Sequence, residues 1–302
     1  MTDQVEISPI SSTDIPELVT LWNECLTAHP MTIERFNALF FGDVNGVAKL
    51  NHASFIARTD RIVGFVVAYQ RNLPAPGLGL EPDLGYLTAI AVKPDLQLRG
   101  IGTALLSRAI AALNTAEILL SGRTGSAPAA TFPGVDLDNY SESLNFFLKN
   151  GFEPLAIANS MSREINSAIP IELAAGVAVE TEIDSARLHE FVGEAFPGDW
   201  ADVAGAKLQQ NPAEFAVVSV NGDYAGFAVW NGGWFGPVGV AEQFRSYGLG
   251  KLLVQNAINQ MHNAGVTKIY FTWADEWVVP FYQRLGFEIN RTYQRMIWQR
   301  KN

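Results

Sequence analysis

The sequence predicts an α+β protein of two tandem domains built on one fold, each a central mixed, mostly antiparallel sheet flanked by helices. Three observations carry this. The 302 residues contain an ordered internal repeat. Within each copy the apolar period switches between two and 3.6 in the same order. Finally, 48% apolar and 17% charged residues describe a globular chain long enough for two domains of ordinary size.

The repeat has three matched segments. Asp60-Arg-Ile-Val-Gly-Phe-Val-Val-Ala-Tyr returns as Asn221-Gly-Asp-Tyr-Ala-Gly-Phe-Ala-Val-Trp, residues 87–102 return as 235–250, and Phe146-Phe-Leu-Lys-Asn-Gly-Phe returns as Phe281-Tyr-Gln-Arg-Leu-Gly-Phe. Gly64 and Gly100 are 36 residues apart whereas Gly226 and Gly248 are 22 apart. Gly100 and Gly151 are 51 apart against 38 for Gly248 and Gly286. The first copy therefore carries two insertions, placed at 73–82, rich in Pro and Gly, and at 122–135. Periodicity fails across Ser162-Arg-Glu-Ile-Asn-Ser-Ala-Ile-Pro, which puts the domains at 1–165 and 166–302.

Taken in order, each copy opens on a capped amphipathic helix, within Ser12-Thr-Asp-Ile-Pro-Glu-Leu-Val-Thr-Leu-Trp and Ile183-Asp-Ser-Ala-Arg-Leu-His-Glu-Phe-Val. A pair of strands follows, 54–58 with 62–67 and 215–220 with 224–229, the second pair joined by an Asn221-Gly222 hairpin turn. A third strand, 86–92 or 234–240, runs into a glycine motif. Beyond it Leu105, Leu106, Ala109, Ile110 and Leu113, or Leu249, Leu253, Ala257 and Met261, fall on one helical stripe. A strand at 116–120 or 268–273, a helix ending at a Gly-Phe pair and a last strand complete the copy.

A net charge of −10 argues against nucleic acid or an anionic membrane as partner, since both need a basic footprint. No apolar run reaches the roughly 18 residues of a membrane span. Cys25 alone forms no internal disulfide, and His29, His52, His189 and His262 lack ligand spacing, so no metal is expected. The expected setting is reducing and cytoplasmic, with the chain a monomer or homodimer.

The glycine motif is Gln97-x-x-Gly100-x-Gly102 in one copy and Arg245-x-x-Gly248-x-Gly250 in the other, each between a strand and a helix. Such a turn gathers free backbone N–H groups and binds phosphate. A P-loop would need Gly at 245 and Ser or Thr at 252, where Arg245 and Leu252 stand. A dinucleotide fingerprint would need Gly at 105 and 253, and both are leucine.

This pattern, with the downstream Phe-Tyr/Phe-x-x-x-Gly-Phe, resembles the GNAT acyltransferase superfamily over most of the chain. The resemblance implies an N-acetyltransferase using acetyl-CoA as cosubstrate and a small-molecule or peptide amine as acceptor. It implies pantetheine contacts at Ile90, Ala91 and Val92 and at Val238, Gly239 and Val240. It implies pyrophosphate contacts at Gln97, Leu98, Arg99, Gly100, Ile101, Gly102 and Thr103, and at Arg245, Ser246, Tyr247, Gly248, Leu249, Gly250 and Lys251. A tyrosine in the last helix commonly protonates the departing thiolate in that family. Tyr282 stands there in the second copy, and Phe147, with no proton to give, in the first. Catalysis is therefore expected in the second domain.

Asp275 and Glu276, at the end of a strand near Tyr282, are the candidates for the base. Asp136, Asp138 and Tyr140 in the first copy could line an acceptor pocket or supply another acid, which keeps open a first-domain enzyme. A silent acyl-CoA sensor is the remaining reading. Trp230, Trp234, Trp273 and Trp277 are expected mainly in the core. His189 and His262 are read as surface or core residues. The acidic surface suits cationic amines such as polyamines, aminoglycosides or lysine side chains.

Overall fold

The first repeat begins with β1 (Glu6–Pro9), followed by α1 (Ile15–Cys25) and α2 (Ile33–Phe40). The computed structural model describes residues 5–40, 53–71, 79–120, 132–196 and 200–301. Ser11 and Asp14 fix the entry to α1: Ser11 donates to Asp14 Oδ2 from its hydroxyl at 2.7 Å and from its backbone N–H at 2.9 Å. Pro16 occupies the first turn, where no intrahelical N–H bond is lost. The helix α2 was not among the expected elements, although Ile33-Glu-Arg-Phe-Asn-Ala-Leu-Phe buries Phe36, Leu39 and Phe40 on one side.

Next come β2 (Phe55–Arg58), β3 (Ile62–Gln70) and β4 (Leu84–Val92), an antiparallel run, then α3 (Ile101–Leu113) and β5 (Glu117–Leu120), which lies parallel to β4. The strand β3 is covered on both faces and so reads as one apolar run. On one face Leu105, Leu106 and Ala109 of α3 pack against Val66 and Leu87. On the other, Trp22 of α1 stacks on Phe65 with ring centroids 5.5 Å apart. The repeat ends with β6 (Val135–Asp136), α4 (Leu137–Tyr140), α5 (Ser143–Lys149) and β7 (Phe152–Glu164).

The second repeat comprises β8 (Val177–Val179), α6 (Ser185–Ala195), α7 (Trp200–Gln210), β9 (Phe215–Val220), β10 (Asp223–Asn231), β11 (Trp234–Val240), α8 (Leu249–Asn263), β12 (Lys268–Asp275), α9 (Val279–Arg284) and β13 (Glu288–Gln299). Asp184 caps α6 by accepting from the N–H groups of Ala186 and Arg187. Asn221 and Gly222 both have positive φ, 52° and 90°, which is the twist a two-residue hairpin needs.

The chain forms two compact units. One runs through Ala158 and takes in Tyr293–Asn302, and the other is Asn159–Thr292. In the first, Met296–Gln299 of β13 pairs antiparallel with β5, from Met296↔Leu120 to Gln299↔Glu117. In the second, β7 neighbours β12: Ser160 Oγ donates to the Phe271 carbonyl at 3.0 Å, and the Ile165 N–H to the Thr267 carbonyl at 2.8 Å. Each repeat thus gives the far half of its last strand to the other unit.

Much of the two expected insertions, at 73–78 and 122–131, lies outside the described residues, as does His52. Among the described residues no helix is long and apolar enough to cross a membrane, and no cluster of three His, Cys, Asp or Glu could hold a metal ion.

Candidate active sites

Both repeats build the same strand, turn and helix with the same close contacts. A Cβ on Gly64 would lie 3.1 Å from the Ala91 carbonyl, with Leu105 and Val92 alongside; one on Gly226 would lie 2.8 Å from the Gly239 carbonyl, with Leu253 and Val240 alongside. The glycine lets the neighbouring strand approach. Gly100 (φ 85°) and Gly248 (φ 73°) take the left-handed conformation immediately before α3 and α8. The space where their Cβ atoms would lie is open.

The first residue of the motif pins the turn back to its strand. Gln97 Nε2 donates to the Val92 carbonyl at 3.0 Å, and Arg245 Nε to the Val240 carbonyl at 3.4 Å. Beyond the glycine, Ile101, Gly102 and Thr103, or Leu249, Gly250 and Lys251, form the first helical turn, whose N–H groups have no intrahelical acceptor. Ile101 and Leu249 are buried, so only their backbone faces the turn; Leu98 (φ 60°) is fully exposed and Tyr247 half-exposed. Arg99 donates to the Asp95 carbonyl, and Ser246 lies in the short helix before Gly248. A left-handed glycine with open space before a helix N-terminus has the geometry to receive a phosphate group. From Lys251 an open groove of about 900 Å³ continues along α8 past Gln255, Arg163 and Arg284.

In the second unit the strand before the turn parts from its parallel neighbour. The strand β11 pairs with β12 at Trp234↔Tyr270, yet β11 continues to Val240 and β12 to Asp275. Val238, Gly239 and Val240 therefore lie past the paired stretch. In the first unit β4 and β5 pair from Leu84↔Glu117 to Leu87↔Leu120, and Ile90, Ala91 and Val92 follow that register.

In the second unit Tyr282 joins the glycine turn to the parted strand. Its neighbour Phe281 lies 3.4 Å from where a Gly250 Cβ would be, and its own ring lies 4.5 Å from Phe271 of β12. Burial alone pushes its hydroxyl far above the ordinary tyrosine range, so the side chain holds its proton at neutral pH. Asp275 accepts the indole N–H of Trp273 at 3.0 Å, and Glu276 begins the short helix before α9. Trp230 is buried, whereas Trp273 and Trp277 are exposed, Trp277 at 79%. His189 meets a carboxylate that its own helix does not supply, Asp202 of α7 at 3.3 Å, at the surface.

The first unit holds a cleft of about 160 Å³ along residues 88–92 of β4. His29, from the α1–α2 connection, lies in it with Nε2 2.8 Å from Asp136 Oδ2. The Tyr140 hydroxyl accepts the Ala28 N–H at 2.9 Å. Phe132 lies 4.2 Å from the His29 ring, centroid to centroid. Sequence reasoning placed Asp136 and Tyr140 near an acceptor pocket but gave His29 no role, because its carboxylate partner lies 107 residues away.

Both units set a strand, a left-handed glycine and a helix N-terminus in the same order, the strand–turn–helix arrangement of an acyltransferase fold. The chain belongs to the GNAT acetyltransferase family: residues 185–287 match the acetyltransferase (GNAT) family and 50–154 the acetyltransferase (GNAT) domain, together more than half of the chain. It is a transferase of the N-acetyltransferase class with two such domains in tandem. No curated protein matches the sequence. Among solved structures, a GCN5-related N-acetyltransferase from Sphaerobacter thermophilus is similar at 16% identity, covering 99% of this chain and 96% of that one, TM-score 0.75. A glucosamine N-acetyltransferase region of a fungal β-N-acetylglucosaminidase is similar at 18% identity over 99% of this chain and 38% of that one, TM-score 0.79. A tandem GNAT protein from the clavulanic acid biosynthesis pathway is similar at 15% identity over 98% of both chains, TM-score 0.63.

Proposed function

We propose that this chain moves an acetyl group from acetyl-CoA to the nitrogen of a small-molecule or peptide amine, and that its second unit does so through Tyr282. The observation behind this reading is the position of Tyr282 on α9, next to Phe281, which packs at Gly250 of the glycine-turn helix α8, and against Phe271 of β12. Acetyl transfer needs a carbonyl polarised by a fixed donor and a proton for the departing thiolate. A backbone N–H on the β12-facing edge of residues 238–240, whose other edge pairs with β10, suits the first need. A desolvated tyrosine that keeps its proton suits the second. Asp275 and Glu276 remain the proposed acceptors of the amine proton, directly or through water.

Tyr282→Phe tests the reading. It keeps the ring packing and removes the proton, so kcat for amine-dependent thiol release should fall about 100-fold, with acetyl-CoA affinity by calorimetry within about twofold. Unchanged turnover removes Tyr282 from the mechanism. Binding of acetyl-CoA without thiol release across a broad amine panel identifies a sensor.

A further inference from the structure

We infer that the second unit selects a donor carrying a 3′-phosphate on its ribose, and that Arg163, from the last strand of the first repeat, holds that phosphate. The donor class is then the free CoA thioester, in preference to a pantetheine thioester without the phosphate. The inference rests on the reading of the chain as an acetyl-CoA-dependent N-acetyltransferase whose glycine turn receives the pyrophosphate.

The groove beside α8 reverses the sign of the chain. The protein carries −10, yet the described residues lining this groove include the cations Arg163, Lys251, Lys268 and Arg284 against the carboxylates Glu164 and Glu288. Glu164 is paired with Lys268 at 3.3 Å. Lys251 and Arg284 meet no carboxylate among the described residues, so an anion entering here finds uncompensated positive charge. The groove opens at Lys251, in the first turn of α8, and follows Val254, Gln255 and Ile258 along about 10 Å of helix. Residues 238–240, Asp275, Glu276 and Tyr282 do not line it. Its occupant therefore lies beyond the glycine turn and away from the reacting atoms, which is where the ribose end of the donor belongs.

Arg163 is held in advance for this task. Its Nη1 donates to the Leu285 carbonyl, and its Nε lies 3.6 Å from where a Gly286 Cβ would be. The partly buried guanidinium is thus fixed on the turn between α9 and β13, and its Nε and Nη2 have no acceptor among the described residues. Those two donors form the planar fork that takes two oxygens of one phosphate, and fixing it beforehand lowers the entropy lost on binding. The first unit keeps the place and changes the residue. Phe152 matches Phe287, and carrying that match along the two strands sets Trp298 level with Arg163. Trp298 lies 3.5 Å from the would-be Cβ of Gly151, as Arg163 lies against Gly286. An indole has one donor and no charge, so selection by the phosphate belongs to the second unit alone.

The test is calorimetry on the full chain with two probes, CoA and dephospho-CoA, the second-unit site being the one that Gly248→Ala weakens. That site should bind CoA about tenfold more tightly than dephospho-CoA. Arg163→Gln should weaken CoA about tenfold and dephospho-CoA by less than about twofold, which removes the preference, whereas Arg163→Lys should retain part of it. Raising the salt concentration should narrow the preference in the parent. Arg284→Gln changes an exposed side chain and should shrink the preference about threefold, which decides the matter if Arg163→Gln does not fold. A parent that binds both probes equally, an equal weakening of both in Arg163→Gln as a merely structural role would give, or a preference that neither variant changes overturns the inference. If Tyr282-dependent thiol release from acetyl-CoA survives such a result, the function proposed above stands; absence of binding of either probe overturns both.

Discussion

Phe196 lies so close to Gly239 that a Cβ on that glycine would come within 2.5 Å of its ring. The matched residue in the first repeat is Ala91, so the fold accommodates a methyl at this strand position where the surroundings leave room for it. In the second unit Phe196 packs with Phe227 and Trp200, and a rigid ring cannot swing away cheaply. Gly239→Ala should destabilise the second unit by about 1–3 kcal/mol, as overpacking does, visible as a lower urea midpoint. The double variant with Phe196→Leu should recover part of the loss; no recovery would mean that the ring is not the obstacle.

Gly248 presents the opposite case. Nothing lies within 4 Å of its would-be Cβ, and the cost of a side chain there is purely that of φ 73°. Gly248→Ala should cost about 1–2 kcal/mol, whereas Gly248→Asn should cost less, because asparagine enters the left-handed region more readily. Acetyl-CoA affinity of the second unit should weaken in the same order if the turn holds the pyrophosphate. Equal affinity in both variants and the parent, measured by calorimetry, would count against that role.

Matched glycines explain why so much of the fold was legible. The pairs Gly64 and Gly226, Gly102 and Gly250, and Gly151 and Gly286 meet matched surroundings or share a left-handed turn, so close packing fixed their spacing and left the repeat visible. Strands and helices between them followed from apolar period. What the sequence hid is long-range. His29 and Asp136 are 107 residues apart, and Ala28 and Tyr140 are 112 apart, and no local pattern marks such a meeting. The destination of β13 was hidden too, since an alternating strand carries no mark of which sheet edge it will join. The segment from Phe132 to Tyr140 stood out in the sequence and does line a cleft; its partner on the α1–α2 connection did not stand out.

The short strand β6 shows how closely the first site depends on that last strand. Tyr293 pairs with Asp136 and Gln294 with Val135. A Cβ on Gly134 would fall 2.2 Å from the Gln294 carbonyl oxygen and 2.9 Å from Arg295 Cα, both backbone atoms. Gly134→Ala must therefore push β6 off β13 and carry Asp136 away from His29. The expected cost is about 3 kcal/mol, seen as a lower urea midpoint for the first unit, with little change in turnover by the second. Selective loss is the informative result; equal loss in both would show that the variant unfolds the whole chain.

Cys25 lines the first cleft and raises the question of an acyl-cysteine relay. Burial first, and then the negative charge of Glu24, push its thiol up to about 11, with Lys93 opposing weakly. The thiolate is the nucleophile, so at neutral pH this side chain is nearly all inert thiol. Alkylation by iodoacetamide should be slow at pH 8 and rise about tenfold per pH unit until about pH 11. The same shift fixes the sign of its effect on stability. The unfolded chain ionises this thiol near 9 and the folded chain only near 11, so the contribution is complete below pH 9 and is lost as pH rises through that interval. Cys25→Ser should flatten the fall in melting temperature between pH 9 and 11 and leave amine-dependent turnover within about threefold, since direct attack forms no acyl-enzyme. An alkylation rate that levels off near pH 9, or an acetylated Cys25 trapped by acid quench, would favour the relay over direct attack.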